Sequence, residues 1–124
     1  MKVRAIYRPW VVTADGDERL ADVATRMWDN QVGSLVVTVG GRFAGIVTER
    51  DLTRAIAEDA DPEVATAADY MTEAPASIDL DADVRDVVLN LLELECRHLP
   101  VTEGGTVVGM VSIRDLLGTV ARLA

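Results

Sequence analysis

Histidine and cysteine are nearly absent from this 124-residue chain, which holds one of each, His98 and Cys96. A single cysteine excludes an intramolecular disulfide, so nothing in the composition calls for an oxidising compartment. One histidine and one cysteine are too few to complete a zinc site. Cys96 has no partner base, and it is expected to be a small buried hydrophobe rather than a nucleophile. His98 is expected to pack or hydrogen-bond near a hairpin. With no activated nucleophile, metal set or acid–base pair, no enzyme activity is expected. Long apolar runs are missing too: none approaches the roughly 20 residues of a membrane span, and no charged start, apolar stretch and cleavage site opens the chain. A soluble cytoplasmic protein with no membrane contact is the expectation. Positive charge is scarce, with 12 basic against 21 acidic side chains and a net charge of −9. Duplex binding draws most of its affinity from Lys and Arg on phosphates, so nucleic acid is not an expected partner. A small phosphate ligand remains open, because one arginine and a helix N-terminus bind an anion locally.

What the chain does contain is a duplication. Shifted by 64 residues, Gly33 to Thr53 aligns without a gap on Arg97 to Leu117, and ten of the 21 positions are identical. The matches include Gly40 with Gly104, Gly41 with Gly105, Gly45 with Gly109, Arg50 with Arg114 and Asp51 with Asp115. A repeat of this kind signals two copies of one supersecondary unit. Upstream, Leu20, Val23, Ala24, Met27 and Trp28 correspond to Val84, Val87, Val88, Leu91 and Leu92. Both sets follow the i, i+3, i+4, i+7, i+8 spacing of an amphipathic helix. Apolar runs Leu35 to Val39 and Phe43 to Val47, like Leu99 to Val101 and Val107 to Val111, flank Gly-Gly pairs and predict antiparallel hairpins. Second helices are predicted from about Glu49 to Glu58 and Ile113 to Leu123. Short extended pieces, Trp10 to Thr13 and Pro75 to Ile78, precede the first helices. The Met27, Trp28, Leu52, Ile56, Leu116 and Val120 faces are expected to be mainly core, with some apolar surface left for a partner.

The predicted fold class is α+β: two pseudo-symmetric β-α-β-β-α repeats packed sheet to sheet. The first repeat covers residues 1–60, a linker 61–68 and the second repeat 69–124, together one cooperative module.

In each repeat, a strand runs into a helix at a hydroxyl residue followed three positions later by aspartate. Thr48 is a predicted N-cap that gathers a hydroxyl and unpaired backbone N–H groups at one point, a place suited to phosphate. Arg50 supplies a charge-assisted contact, and Asp51 a carboxylate able to accept hydrogen bonds from both hydroxyls of a ribose. Ser112, Arg114 and Asp115 repeat the arrangement. The same spacing also reads as a capping box with Asp in place of Glu or Gln, and on the residues alone that structural role competes with ligand binding at both corners.

Several segments together resemble a pair of CBS domains, the tandem arrangement named after cystathionine beta-synthase and called a Bateman module. They are Gly45-Ile46-Val47-Thr48-Glu49-Arg50-Asp51-Leu52, its partner Gly109-Met110-Val111-Ser112-Ile113-Arg114-Asp115-Leu116, Arg97-His98-Leu99-Pro100-Val101, and Asp69-Tyr70-Met71-Thr72. The resemblance covers essentially the whole chain. It implies a regulatory sensor that binds an adenosyl ligand in clefts between the repeats: AMP, ADP or ATP, with S-adenosylmethionine or NAD(H) as further choices. It implies a homodimer formed through the repeat helices, and a protein effector acted on in trans. The alternative is a ligand-free structural or oligomerisation module with degenerate clefts. By resemblance, the cleft centred on Ser112 and Asp115 uses Tyr7, Trp10, Val12, Val32, Gly33, Arg97 and Met110. The cleft centred on Thr48 and Asp51 uses Gly33, Ile46, Met71, Ala74, Ala76, Cys96 and Arg97, with Arg97 a candidate phosphate contact. The first repeat departs from the family pattern, with Tyr7-Arg8-Pro9-Trp10 opposite Met71-Thr72-Glu73-Ala74 and Val36 where Pro100 stands in the second. Trp10 is expected either to stack on a base or to fill its pocket, and the Asp51 cleft is expected to be the better site.

Overall fold

The computed structural model describes every residue except Ala74 and Ala124, and Leu123 by its backbone alone. It divides into two compact units, Val12–Pro75 and Met1–Val11 with Ala76–Ala124. These are called here the first-repeat and second-repeat units.

In the first-repeat unit, runs of β-branched residues, Val36 to Val39 and Ile46 to Thr48, favour β2 (Ser34–Val39) and β3 (Arg42–Thr48), which pair antiparallel across the Gly40-Gly41 turn. Both glycines have positive φ, 60° and 77°, the backbone that a tight two-residue hairpin demands and that side chains resist. β1 (Thr13–Asp15) joins β2 in parallel and β4 (Thr72–Glu73) joins β3 antiparallel, giving the order β1-β2-β3-β4. Helix α1 (Leu20–Asn30) lays Val23 and Met27 on this sheet, where they meet Ala14, Leu35, Val37, Val47 and Ala67 in one apolar cluster. Helix α2 (Glu49–Ala57) and the one-turn helix α3 (Ala67–Tyr70) follow.

The second-repeat unit repeats the plan. β5 (Ile78–Asp79) is parallel to β6 (His98–Glu103), which pairs antiparallel with β7 (Thr106–Ser112). Helix α4 (Val84–Leu94) buries Val87 and Leu91, and α5 (Ile113–Leu123) leaves β7 at Ser112. The edge that β4 fills in the first unit is met here by the N-terminal segment. Arg8 forms a two-way backbone bridge with Met110, Arg8 N donating to Met110 O at 2.8 Å and Met110 N to Arg8 O at 3.1 Å. Val3, wholly buried, anchors this segment in the cluster of Ile78, Leu80, Val87, Leu91, Leu99, Val101 and Val111. The sequence repeats and the compact units are therefore different divisions: each hairpin takes its closing edge from the segment that opens the other repeat. The reason is that a hairpin with an apolar face and an open strand edge must be covered.

Four expectations change. The parallel ladders begin at Thr13 and Ile78, about where the extended pieces Trp10 to Thr13 and Pro75 to Ile78 were expected to end. Trp28, Ile56 and Val120 are not core: Trp28 is 83% exposed, and all three face outward. On both first helices the i+4 and i+8 positions, Ala24, Trp28, Val88 and Leu92, lie on the exposed side, so the buried stripe is narrower than the apolar one. Finally, Ala67, inside the stretch read as linker, is fully buried, and Thr66 caps α3 through a hydrogen bond from Asp69 N.

The ion pair of Glu18 with Arg26 carries an expected pH dependence. The Glu18 carboxylate accepts from both terminal nitrogens of Arg26, one at 2.8 Å, and from Asp15 N at 2.6 Å. The bond from Arg26 holds the Glu18 pKa below its ordinary 4.5. A depressed carboxylate stabilises the fold above its unfolded pKa, and that stabilisation is lost as pH falls through the folded value. Glu18→Gln should therefore melt lower than the parent at neutral pH. In melting curves taken stepwise below pH 4.5, the gap should close.

Candidate functional site

β3 delivers Thr48 to the start of α2 in an extended conformation, φ −123° and ψ 168°, as the helix N-cap. Thr48 N and Oγ1 donate to Asp51 Oδ2 at 2.8 and 3.1 Å, and Asp51 N donates back to Thr48 Oγ1 at 3.3 Å. This is a complete capping box, and it fixes the carboxylate by one oxygen. The other, Oδ1, lies 3.9 Å from Arg54 Nη2, beyond hydrogen-bond reach. The Asp51 side chain is only 15% exposed, while Arg54 stands over the Tyr70 ring at 4.7 Å from its centroid and donates to Tyr70 O at 3.3 Å. Met71 packs half-buried against the cluster of the same unit, as do Val12 and Val32, and Ile46 is buried. Arg50 is exposed on the first turn of α2.

The second corner repeats this box. Ser112 N and Oγ donate to Asp115 Oδ2 at 2.8 and 3.0 Å, and Asp115 N donates to Ser112 Oγ at 3.3 Å. It then diverges, because Arg8 Nε donates to Asp115 Oδ1 at 3.1 Å. Asp115 is 11% exposed and Arg8 35%. Tyr7 lies over Gly109, where an added Cβ would fall 2.6 Å from its ring. Arg97 and Arg114 are exposed, Met110 is buried, and Trp10 is half-exposed.

The helix starts are less open than the sequence suggests. Glu49 N donates to Gly33 O and Ile113 N to Arg97 O, each at 3.0 Å. With the amides of residues 48, 51, 112 and 115 bonded within the boxes, most of the N–H groups expected to await a phosphate are already used. The physical cause is that the loop before each hairpin passes close enough to the helix start to satisfy it. Beyond the caps, the polar group common to both corners is the aspartate carboxylate.

The structure brings Thr48, Arg50, Asp51, Met71, Val12, Val32 and Gly33 into the first-repeat unit, and Tyr7, Ala76, Arg97, Ser112, Arg114 and Asp115 into the second. Ala76 is exposed, and Ala74 lies outside the described residues. Arg54 and Tyr70 were not singled out from the sequence as site residues, though the Asp51–Arg54 spacing of one helical turn is a readable signal. Arg8 carried no local signal, since 107 residues separate it from Asp115. Among the described residues, no group of three or more His, Cys, Asp or Glu is placed to hold a metal, and no helix is long and apolar enough to cross a membrane.

Comparison with known proteins finds relatives in sequence and in fold. An uncharacterised 17.7 kDa protein of Acidianus ambivalens is 36% identical over 118 residues, 93% of this chain and 70% of that one. The CBS domain protein PAE2072 of Pyrobaculum aerophilum, solved in complex with AMP, is 26% identical with a TM-score of 0.87, covering 98% of this chain and 99% of that one. A hexameric CBS-CP12 protein of bloom-forming cyanobacteria is 26% identical with a TM-score of 0.87, over 94% and 69% of the two chains. Against three curated relatives the chain spans 61%, 70% and 68% of their length. The CBS-domain family profile matches residues 3–58 and again 67–122. Two such matches, each containing one of the strand-to-helix corners, establish that this chain belongs to the CBS-domain family, as a tandem pair.

Proposed function

We propose that the chain is a regulatory module that binds an adenosyl ligand of the AMP, ADP or ATP type, without catalysis, at the Asp51 corner. The observation that carries this reading is the half-used Asp51 carboxylate: Oδ2 is pinned by Thr48, while Oδ1 is paired with Arg54 Nη2 only at 3.9 Å, with no hydrogen bond to it among the described residues. A rigid carboxylate with one such oxygen is preorganised to accept from ribose hydroxyls. Met71 and Ile46 supply apolar surface for a base, and Arg50 a cation for phosphate. The AMP complex of the Pyrobaculum aerophilum relative supports the ligand class. Occupancy would then favour one conformational state that an effector in trans reads, which requires different affinities for the two states.

Thermal melting with AMP, ADP, ATP, S-adenosylmethionine and NADH tests the reading. A ligand at 100 times its Kd adds about 2.7 kcal/mol, a rise of several degrees at this size. A melting point unmoved by the whole panel would leave a ligand-free scaffold, with the capping boxes as the entire role of both aspartates.

Self-association is part of the same proposal. Trp28 on α1 and Leu89 and Leu92 on α4 leave large apolar surface in water, Leu92 at 71% exposure. The hexameric cyanobacterial relative supports assembly by modules of this kind. Sedimentation at micromolar concentration should find a dimer, and Leu92→Glu should shift it to monomer by placing a charge in the contact. A monomeric parent chain would dismiss this part of the reading.

A further inference from the structure

The two corners differ in which arginine meets the aspartate: Arg54 stands 3.9 Å from Asp51 Oδ1, its equivalent by the 64-residue repeat is Gly118, and the second corner is met instead by Arg8. At equivalent register positions, Arg8 bridges Met110 and Thr72 pairs with Ile46. The residue beside the Asp115 corner is thus a long cation, and the one beside the Asp51 corner a short hydroxyl. The arginine reaches its aspartate, with Nε 3.1 Å from Asp115 Oδ1. Ser112 N and Oγ already occupy Oδ2. Both oxygens of Asp115 are therefore engaged by protein donors, and at 11% exposure little solvent competes for them. A ribose entering this corner must displace a guanidinium from a mostly buried carboxylate. Losing such a charge-assisted hydrogen bond lowers affinity roughly ten- to hundredfold.

We propose that Arg8 is a built-in occupant of the second corner, which restricts the chain to one adenosyl ligand, held at Asp51. This rests on the functional reading above. The backbone bridge between Arg8 and Met110 does not involve the side chain, so the latch is separable from the fold. It is also portable. Arg8→Thr copies the arrangement beside Asp51 into the second corner, and Thr72→Arg copies the latch into the first.

Isothermal titration of the full chain with AMP tests both directions. The parent chain should bind one AMP. Arg8→Thr should bind two, the new site strengthened at least about tenfold, and Arg8→Thr with Asp51→Ala should return to one. Thr72→Arg should weaken binding at Asp51 by a similar factor, and this arm stands even if loss of Arg8 compromises folding. Two sites of similar affinity in the parent chain, or an Arg8→Thr variant that still binds one AMP while Thr72→Arg binds normally, would refute the latch and leave the nucleotide reading intact. No heat of binding in the parent chain or in Arg8→Thr, with AMP or any other ligand of the melting panel, would overturn both.

Discussion

Gly109→Ala should melt at least about 10 °C below the parent protein, the largest loss expected from any single methyl group in this chain. A Cβ at position 109 would lie 2.1 Å from Arg8 O and 2.6 and 2.7 Å from two carbons of the Tyr7 ring. The first is backbone, already fixed by the bridge to Met110, and cannot swing aside as a side chain does. Accommodation requires the N-terminal segment to lift off β7, which breaks that bridge and loosens Val3 from the cluster beneath. Overpacking alone costs about 1–3 kcal/mol, and the lost pairing takes the sum to about 3 kcal/mol or more. Gly45→Ala should behave alike, its Cβ 2.3 Å from Thr72 O and 3.0 Å from Met71 Sδ. Gly118→Ala is the control. It sits within α5, where an added Cβ would meet, among the described residues beyond its own helix backbone, only Arg122 Nη1 at 3.9 Å, and the substitution should gain about 0.5–1 kcal/mol from helix propensity. Equal melting points for Gly109→Ala and the parent would mean that the N-terminal segment does not close this edge.

Asp51→Ala should weaken AMP binding about 100-fold. Two ribose hydroxyls donating to a charged acceptor contribute about 3 kcal/mol together, which converts to that factor. Because Asp51 also completes the capping box of α2, the substitution should cost the ligand-free protein about 1 kcal/mol. The informative quantity is therefore the rise in melting point on adding AMP, which should vanish in Asp51→Ala, and not the melting point itself. Asp115→Ala should lose stability for the same capping reason, and further because Arg8 loses its partner, yet keep the AMP-induced rise. An unchanged rise in Asp51→Ala would assign this aspartate to capping alone.

The elements were legible because each carries a local physical signal. Gly40-Gly41 and Gly104-Gly105 all have positive φ, so a Gly-Gly pair between β-branched runs was a sound indicator of a hairpin. The two corners were legible as capping boxes for the same reason, since the reciprocal bonds of Thr48 with Asp51 and of Ser112 with Asp115 span only three residues. The apolar stripes of α1 and α4 were only half legible. Their period told which residues share a face, but how wide a sector the sheet covers depends on what packs there, and Trp28 and Leu92 fall outside it. Helix α3 and β4 escaped notice because they are too short for any period to register.

The amino-acid sequence by itself determined the duplication, the β-α-β-β-α order and the paired aspartates, all of which follow from interactions within a few residues of the chain. Only the tertiary structure decided that Met1–Val11 belongs with Ala76–Ala124, that most helix-start amides are already satisfied, and that Arg8 hydrogen-bonds Asp115 while Asp51 is met by Arg54 at 3.9 Å. These depend on segments brought together by the need to cover an apolar sheet edge, and proximity in space leaves no trace in a pattern read along the chain.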